Sequence, residues 1–306
     1  MGEDSQGCLN IMRVAYIKEG RHPHPTGALM NTQHSLGPAT LSQTPRRNRL
    51  DLSRRRTQWP TVTAVIPTLN EADNLRWLLP RLASVDEVVI VDGESTDGTV
   101  EVVRLLRPDA VIIVEPPTGK GTAMRTGMAA ATSEVIVMLD ADGSMDPAEF
   151  DSFLSLLCRG FEFVKGSRYS CGGGSDDLTW LRDKGNLWLT RTANVLYGQK
   201  WTDLCYGYVA MRRNVVEKLH LKSTGFEIET EICVNAVRAG LKVAEVASHE
   251  SHRRFGESNL NTFRDGWRVL KTMVRLRFAG KLEETHLHPQ QSFEPVVGNL
   301  AAARAK

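Results

Sequence analysis

Four apolar runs, at residues 62–66, 88–91, 111–114 and 135–139, punctuate the middle of the chain. Runs this short and this uniformly apolar read as strands buried on both faces, because a half-exposed strand would alternate with polar residues. Helical periodicity fills the gaps between them. Leu75, Leu78, Leu79 and Leu82 share one helical face, a second helix is expected from about residue 96, and a third over 121–131. After the fourth run, Asp146-Pro147-Ala148-Glu149 has the form of a helix start: Asp as N-cap, Pro in the first turn, Glu three residues after the cap. Phe150, Phe153, Leu154 and Leu157 then supply an apolar face. Strands alternating with helices demand right-handed crossovers and a parallel sheet, so the fold class is α/β.

The second half is less regular. A strand is expected at 161–164, a loop at Gly172-Gly173-Gly174-Ser175, a helix over 184–197, an apolar segment at 206–211 and a helix near 228–239. Residues 261–278 carry Phe263, Trp267, Leu270 and Val274 on one helical stripe and Arg264, Arg268, Lys271 and Arg275 on the adjacent one. A basic amphipathic helix of this kind suits a membrane interface, and equally a helix docked on its own domain with a solvated basic edge. Residues 1–59 are rich in Gln, Pro, His and Arg without any sustained period, and read as a disordered, Arg-rich extension. The expected organisation is therefore that extension, a folded domain over 60–260, the basic helix over 261–280 and a flexible tail over 281–306.

Composition narrows the partners. The 306 residues carry a formal charge of +2, which excludes bulk affinity for nucleic acid. Five scattered cysteines without a CxxC pair argue against a disulfide framework or a zinc site, and for a reducing compartment. No apolar run approaches the roughly 20 residues that span a bilayer, and the N-terminus lacks a signal peptide's apolar core. The expected location is cytoplasmic, with peripheral contact on the inner face of the cell membrane left open.

Chemistry concentrates where the strands end. The fourth run stops at Leu139-Asp140-Ala141-Asp142-Gly143, and ligands in open α/β sheets sit beyond the carboxyl ends of strands. Residues two apart on an extended chain point the same way, so Asp140 and Asp142 can face one hard cation, Mg²⁺ or Mn²⁺. Such a cation would neutralise the diphosphate of a nucleotide-linked substrate. The same triplet also suits an ordinary strand end. The first strand ends in Pro67-Thr68-Leu69-Asn70-Glu71, and the second in Asp92-Gly93-Glu94-Ser95-Thr96-Asp97-Gly98-Thr99. A carboxylate there can accept from a base N–H or ribose hydroxyl, although Asp97 equally fits a helix cap. Thr118-Gly119-Lys120-Gly121-Thr122 puts a lysine in a turn before a helix N-terminus, where phosphate is well received. It lacks P-loop spacing, which argues against an NTPase.

Seven segments occur in order: PTLNE (67–71), VDGESTDGT (91–99), GKGTAMRTG (119–127), LDADG (139–143), GSRY (166–169), TDLCYGYVAMRR (202–213) and GESN (256–259). The series resembles the family 2 glycosyltransferases of GT-A fold, and within them the dolichyl- and polyprenyl-phosphate mannosyl- or glucosyltransferases. The resemblance covers about residues 61–260. It implies that Pro67, Asn70, Glu71, Asp92 and Asp97 line a nucleoside pocket, with Lys120 and Gly121 beside it. It further implies that Asp140, Ala141 and Asp142 meet metal and diphosphate. Ser144 stands where the mannosyltransferase branch often has a metal-ligating glutamine, and Asp92-Gly93 stands where two aspartates are usual. On the acceptor side the resemblance points to Arg168 and Arg182 as clamps for a lipid phosphate.

Asp203 and Glu229 are the candidate general bases. An acceptor phosphate is already ionised and can attack directly, whereas a hydroxyl gains about 10²–10⁴-fold from a positioned carboxylate. His249 and His252 adjoin a basic loop that would close over the donor diphosphate, with Arg253 or Arg254 stabilising the leaving charge. The expected catalytic set is Asp203, Arg168 and Arg254. The reading is a metal-dependent inverting transfer of a hexose from a GDP- or UDP-sugar to polyprenyl phosphate. A saccharide hydroxyl of the cell envelope is the alternative acceptor. A nucleotidyltransferase and a non-catalytic nucleotide-sugar binder are the readings from other classes.

Overall fold

The computed structural model describes residues 59–257 and 261–280. The expectations for the Arg-rich extension before residue 59, for Ser258 and Asn259, and for the tail after 280 lie outside the described residues. In chain order the elements are β1 (Val62–Thr68), α1 (Ala72–Leu78), β2 (Glu87–Asp92), α2 (Thr99–Leu106), β3 (Val111–Val114), α3 (Lys120–Ala130), β4 (Val135–Met138) and α4 (Phe150–Cys158). The second half adds β5 (Phe163–Ser167), β6 (Gly174–Ser175), α5 (Trp180–Tyr197), β7 (Val209–Arg212), α6 (Ile228–Arg238), β8 (Val243–Ala247), β9 (His249–Glu250) and α7 (Thr262–Phe278).

Seven strands form one sheet in the order β3-β2-β1-β4-β7-β5-β8, and β6 pairs with β9 in a small second sheet. The first four strands are parallel, as the apolar runs require. Val65, Ile66, Val89, Ile90, Ile136 and Val137 are all wholly buried, because helices cover both faces of the sheet. The sheet is mostly parallel, and β7 is the exception. It runs antiparallel to both β4 and β5, while β5 and β8 pair in parallel. α3 closes tightly onto β1 at Gly127, where a Cβ would sit 2.4 Å from Val65 Cγ1.

The predicted helix starts hold in chemistry and shift in position. Asp146 caps as expected, accepting from the Ala148 N–H at 2.9 Å, and a short 3₁₀ turn precedes α4. β5 begins two residues later than its apolar run, so Arg168 leaves directly from a buried strand end. α5 begins at Trp180, ahead of the expected 184, because Thr179 caps it through the Arg182 N–H. α7 buries Val269, Met273 and Leu276, not the predicted stripe: Phe263, Trp267 and Val274 are exposed.

Candidate active site

The carboxyl ends of β1, β2 and β4 open on a cavity of about 870 Å³. Beyond β4 the chain carries Asp140, Ala141 and Asp142 into its wall. Asp140 Oδ1 lies 2.6 Å from Lys120 Nζ, which in turn lies 2.7 Å from Glu229 Oε1. Burial works against charge on that ammonium, but the two carboxylates outweigh it and hold Lys120 protonated. Glu229 is itself pushed up by burial, against the pull of Lys120. Asp142 is pushed up by burial and by the neighbouring Asp140 charge. Arg253, from the loop after β9, approaches Asp142 Oδ2 at 3.4 Å and also donates to Glu71. Burial likewise raises Glu71.

A buried carboxylate beside a second one whose charge works against it is a natural seat for a cation. Among the described residues no third His, Cys, Asp or Glu joins them. A hard cation that keeps waters and takes substrate oxygens needs only one or two carboxylates, so the pair fits Mg²⁺ or Mn²⁺ held jointly with a diphosphate. Ser144 lines the cavity beside the pair and is bonded to Asp142. Its N–H donates to Asp142 Oδ1 at 3.0 Å and its hydroxyl bonds the same side chain, which orients the carboxylate from behind.

The other strand-end residues divide into cavity wall and frame. Pro67, Thr68, Leu69, Glu71 and Gly93 line the cavity; Asn70, Asp92 and Asp97 do not. Asp92 is wholly buried and accepts from Thr68 Oγ1 at 2.9 Å, Ser95 N at 2.8 Å and Ser95 Oγ at 2.7 Å. Asn70 takes a left-handed φ of 57° and accepts from the Thr96 N–H at 2.9 Å. Asp97 accepts from the Thr99 N–H and hydroxyl and from the Ala72 N–H, so both its oxygens are engaged. These three side chains lace the β1 and β2 ends together. Gly121 also serves packing. Its N–H donates to Thr224 O at 2.8 Å, and a Cβ there would lie 2.6 Å from Ser223 O.

Arg168 lies on the cavity wall with its guanidinium already committed. Nε and Nη2 donate to the two Asp203 oxygens at 2.7 and 3.0 Å, and Nη1 donates to Glu250 at 3.0 Å. Asp203 is wholly buried, away from the cavity, and takes a further bond from Asn186 Nδ2 at 2.9 Å. Burial alone would push its carboxyl up, but the hydrogen bonds and charge of Arg168 hold it below its usual value. An acid so held is a poor proton acceptor, so the expectation of Asp203 as general base gives way to a structural ion pair. Arg254 also departs from expectation. Its guanidinium stacks 4.5 Å from the Trp77 ring, and its neighbour Arg253 is the one that faces the carboxylates. His249 and His252 pair with Asp176 and Asp177 at the surface.

Arg182 faces the cavity more freely, with Asp177 at 3.6 Å. α5 and α7 bring Trp180, Leu181, Trp188 and Phe263 into the lining, interspersed with charged residues such as Lys184 and Arg268. Trp180 lies ahead of the helix that the periodicity predicts, and Thr179 as a cap is the signal that places it. Glu250 has no such signal, since nothing in a two-residue strand inside a basic stretch announces it.

The profile of glycosyl transferase family 2 matches residues 63–220. A glycosyltransferase of Haloferax volcanii, AglJ, is 31% identical over 71% of this chain and 73% of its own. The polyprenol monophosphomannose synthase of Mycolicibacterium smegmatis is 32% identical over 64% of this chain and 80% of its own. Among solved structures, glucosyl-3-phosphoglycerate synthase from Mycobacterium tuberculosis, in complex with Mn²⁺, UDP-glucose and phosphoglyceric acid, superposes with a TM-score of 0.56. That match is 20% identical over 71% of this chain and 80% of the other, and shares the GT-A fold.

Proposed function

The chain belongs to glycosyl transferase family 2, and from that premise we propose that it moves a hexose, with inversion, from a nucleotide-diphospho-sugar to a polyprenyl phosphate. The observation that carries this reading is the polarity of one cavity: acidic at Glu71, Asp140 and Asp142, aromatic at Trp180, Trp188 and Phe263. An amphiphile whose phosphate must meet a sugar nucleotide fits such a cavity at both ends. The relative named a polyprenol monophosphomannose synthase supports the lipid-phosphate acceptor, and the neighbour that holds Mn²⁺ with UDP-glucose, beside phosphoglyceric acid, bears on the donor and cation alone.

Mg²⁺ or Mn²⁺ held by Asp140 and Asp142 would offset the charge of the departing diphosphate. Lys120 and Arg253, each within reach of one of those carboxylates, supply further positive charge at the donor end. Arg182 offers a cation for the acceptor phosphate. A phosphate oxygen attacks the anomeric carbon from the face opposite the leaving group. The bond to the diphosphate breaks, and the nucleoside diphosphate departs with its electron pair. An ionised phosphate needs no general base, which agrees with Asp203 being sealed in an ion pair. A hydroxyl acceptor would need Glu229, the one candidate base on the cavity wall, to surrender Lys120.

The test is to incubate the protein with Mn²⁺ or Mg²⁺, membrane lipid extract and each radiolabelled sugar nucleotide, and to count label in the organic phase. Cation-dependent label from one donor, absent in Asp142→Asn, is the expected result. Donor hydrolysis without lipid label would move the acceptor to a hydroxyl, and donor binding with complete inertness would leave a non-catalytic binder.

A further inference from the structure

α7 has two apolar faces, and only one of them is used. Val269, Met273 and Leu276 pack inward, and the helix is tied down by Tyr197 Oη donating to Met273 O at 2.6 Å and by Arg275 to the buried Glu231 at 3.1 Å. The second face leaves Phe263 77%, Trp267 68% and Phe278 85% exposed, with Val274 between them. A docked helix that needed only its inner face would carry polar residues there. α5, packed beside α7, repeats the pattern: Leu189 and Ala193 are buried while Trp180, Trp188 and Val195 stand in solvent. Trp180, Leu181, Trp188 and Phe263 of this surface are also wall residues of the cavity. Cations flank the aromatics on both helices, with Arg264, Arg268 and Lys271 on α7 and Lys184 and Arg191 on α5, all exposed.

From this we infer that the exposed face of α5 and α7 docks on an anionic lipid bilayer, which brings the mouth of the cavity to the membrane surface. Aromatic rings beside cations suit the interface because the rings enter the acyl boundary while the charges stay at the headgroups. A second copy of the chain is disfavoured by charge, since the same cations would face each other. The inference rests on the lipid-phosphate reading only for the use the mouth is put to; binding to lipid is read without catalysis.

The experiment is flotation of the full chain with phosphatidylcholine vesicles, with and without phosphatidylglycerol, for the parent and two double variants. Trp267→Ser with Phe278→Ser removes exposed apolar surface and should lower partitioning by on the order of 10-fold. Arg191→Glu with Lys271→Glu should lower it on anionic vesicles by at least about 25-fold, each cation near such a surface being worth about 5-fold and each reversal adding repulsion. Unchanged thermal melting in both variants shows that the fold is intact. Parent-like binding by both variants, abolished by salt, would assign attachment to the arginines at residues 46–56 and overturn the inference. A parent dimer that the aromatic variant converts to monomer, with no vesicle binding, would give the face to a second copy and overturn it too. Vesicle binding with no transfer to lipid phosphate would remove the acceptor reading and leave the docking face standing.

Discussion

The two sides of β4 handle charge in opposite ways. Toward β1 and β2, the carboxylates Glu71, Asp140 and Asp142 are met by Lys120 and Arg253, long side chains from other elements. Those carboxylates stand on a cavity wall, and burial raises Glu71 and Asp142. Toward β5 and β8, Arg168, Asp203, Asn186 and Glu250 satisfy one another in a closed set, with Asp203 held below its usual value. An open charge cluster can exchange its partners for a ligand. A closed one joins the loop after β5 to the segment before β7 and resists exchange. Motif resemblance alone treats both as sites, whereas hydrogen-bond completeness separates them.

The closed cluster should respond most strongly to substitution. Asp203→Asn leaves Arg168 buried without its partner and should cost roughly 3–5 kcal/mol in denaturant unfolding. Because the folded-state carboxyl is depressed, its stabilisation is complete above the unfolded value of about 4 and is lost as pH falls through the lower folded value. The variant should therefore lose that part of the acid dependence. An undiminished stability in Asp203→Asn would show the pair to be exchangeable after all.

Next comes the open cluster. Asp142→Asn should lower cation-dependent turnover of the donor by roughly 10²–10³-fold while the thermal midpoint stays level or rises, since a desolvated charge is removed. A large fall in stability instead would place Asp142 among the struts. Arg253→Ala should raise the donor KM by about 10-fold, the scale of one charge-assisted hydrogen bond. Arg254→Ala should instead cost about 1 kcal/mol of stability through its stacking on Trp77, with KM unchanged. The smallest effect is expected at Asp97. Its loss removes the bonds that tie the Thr99 and Ala72 amides together, worth about 1 kcal/mol, and should leave the donor KM nearly alone. A KM rise of an order of magnitude in Asp97→Ala would put that carboxylate on the nucleoside.

The donor half was readable because its strands are short, apolar and parallel, so each strand end could be located and its polar residues assigned to one rim. What the pattern could not show is which of those residues turn into the cavity. Asn70 and Asp97 stand close to Glu71 and yet bond backbone amides, because the left-handed turn at Asn70 and the helix start at Thr99 use them first. The second half was less readable because β7 enters antiparallel and because α5 and α7 each carry two apolar faces. Period alone cannot tell a buried stripe from an exposed one, which is why Phe263 and Trp267 stood as well for core as for interface. Arg168 and Asp203 lie 35 residues apart in sequence, and no local signal links them.

What divides the two clusters is whether the carboxylate pair after β4 or the ion pair after β5 receives the diphosphate. Calorimetric titration of UDP and GDP into the parent, Asp142→Asn and Asp203→Asn, each with Mn²⁺ and with a chelator, tests it most directly. One nucleotide should bind the parent only with the cation, Asp142→Asn should abolish this binding, and folded Asp203→Asn should keep it. Equal binding with the chelator present, or binding that survives Asp142→Asn and fails in folded Asp203→Asn, would contradict it.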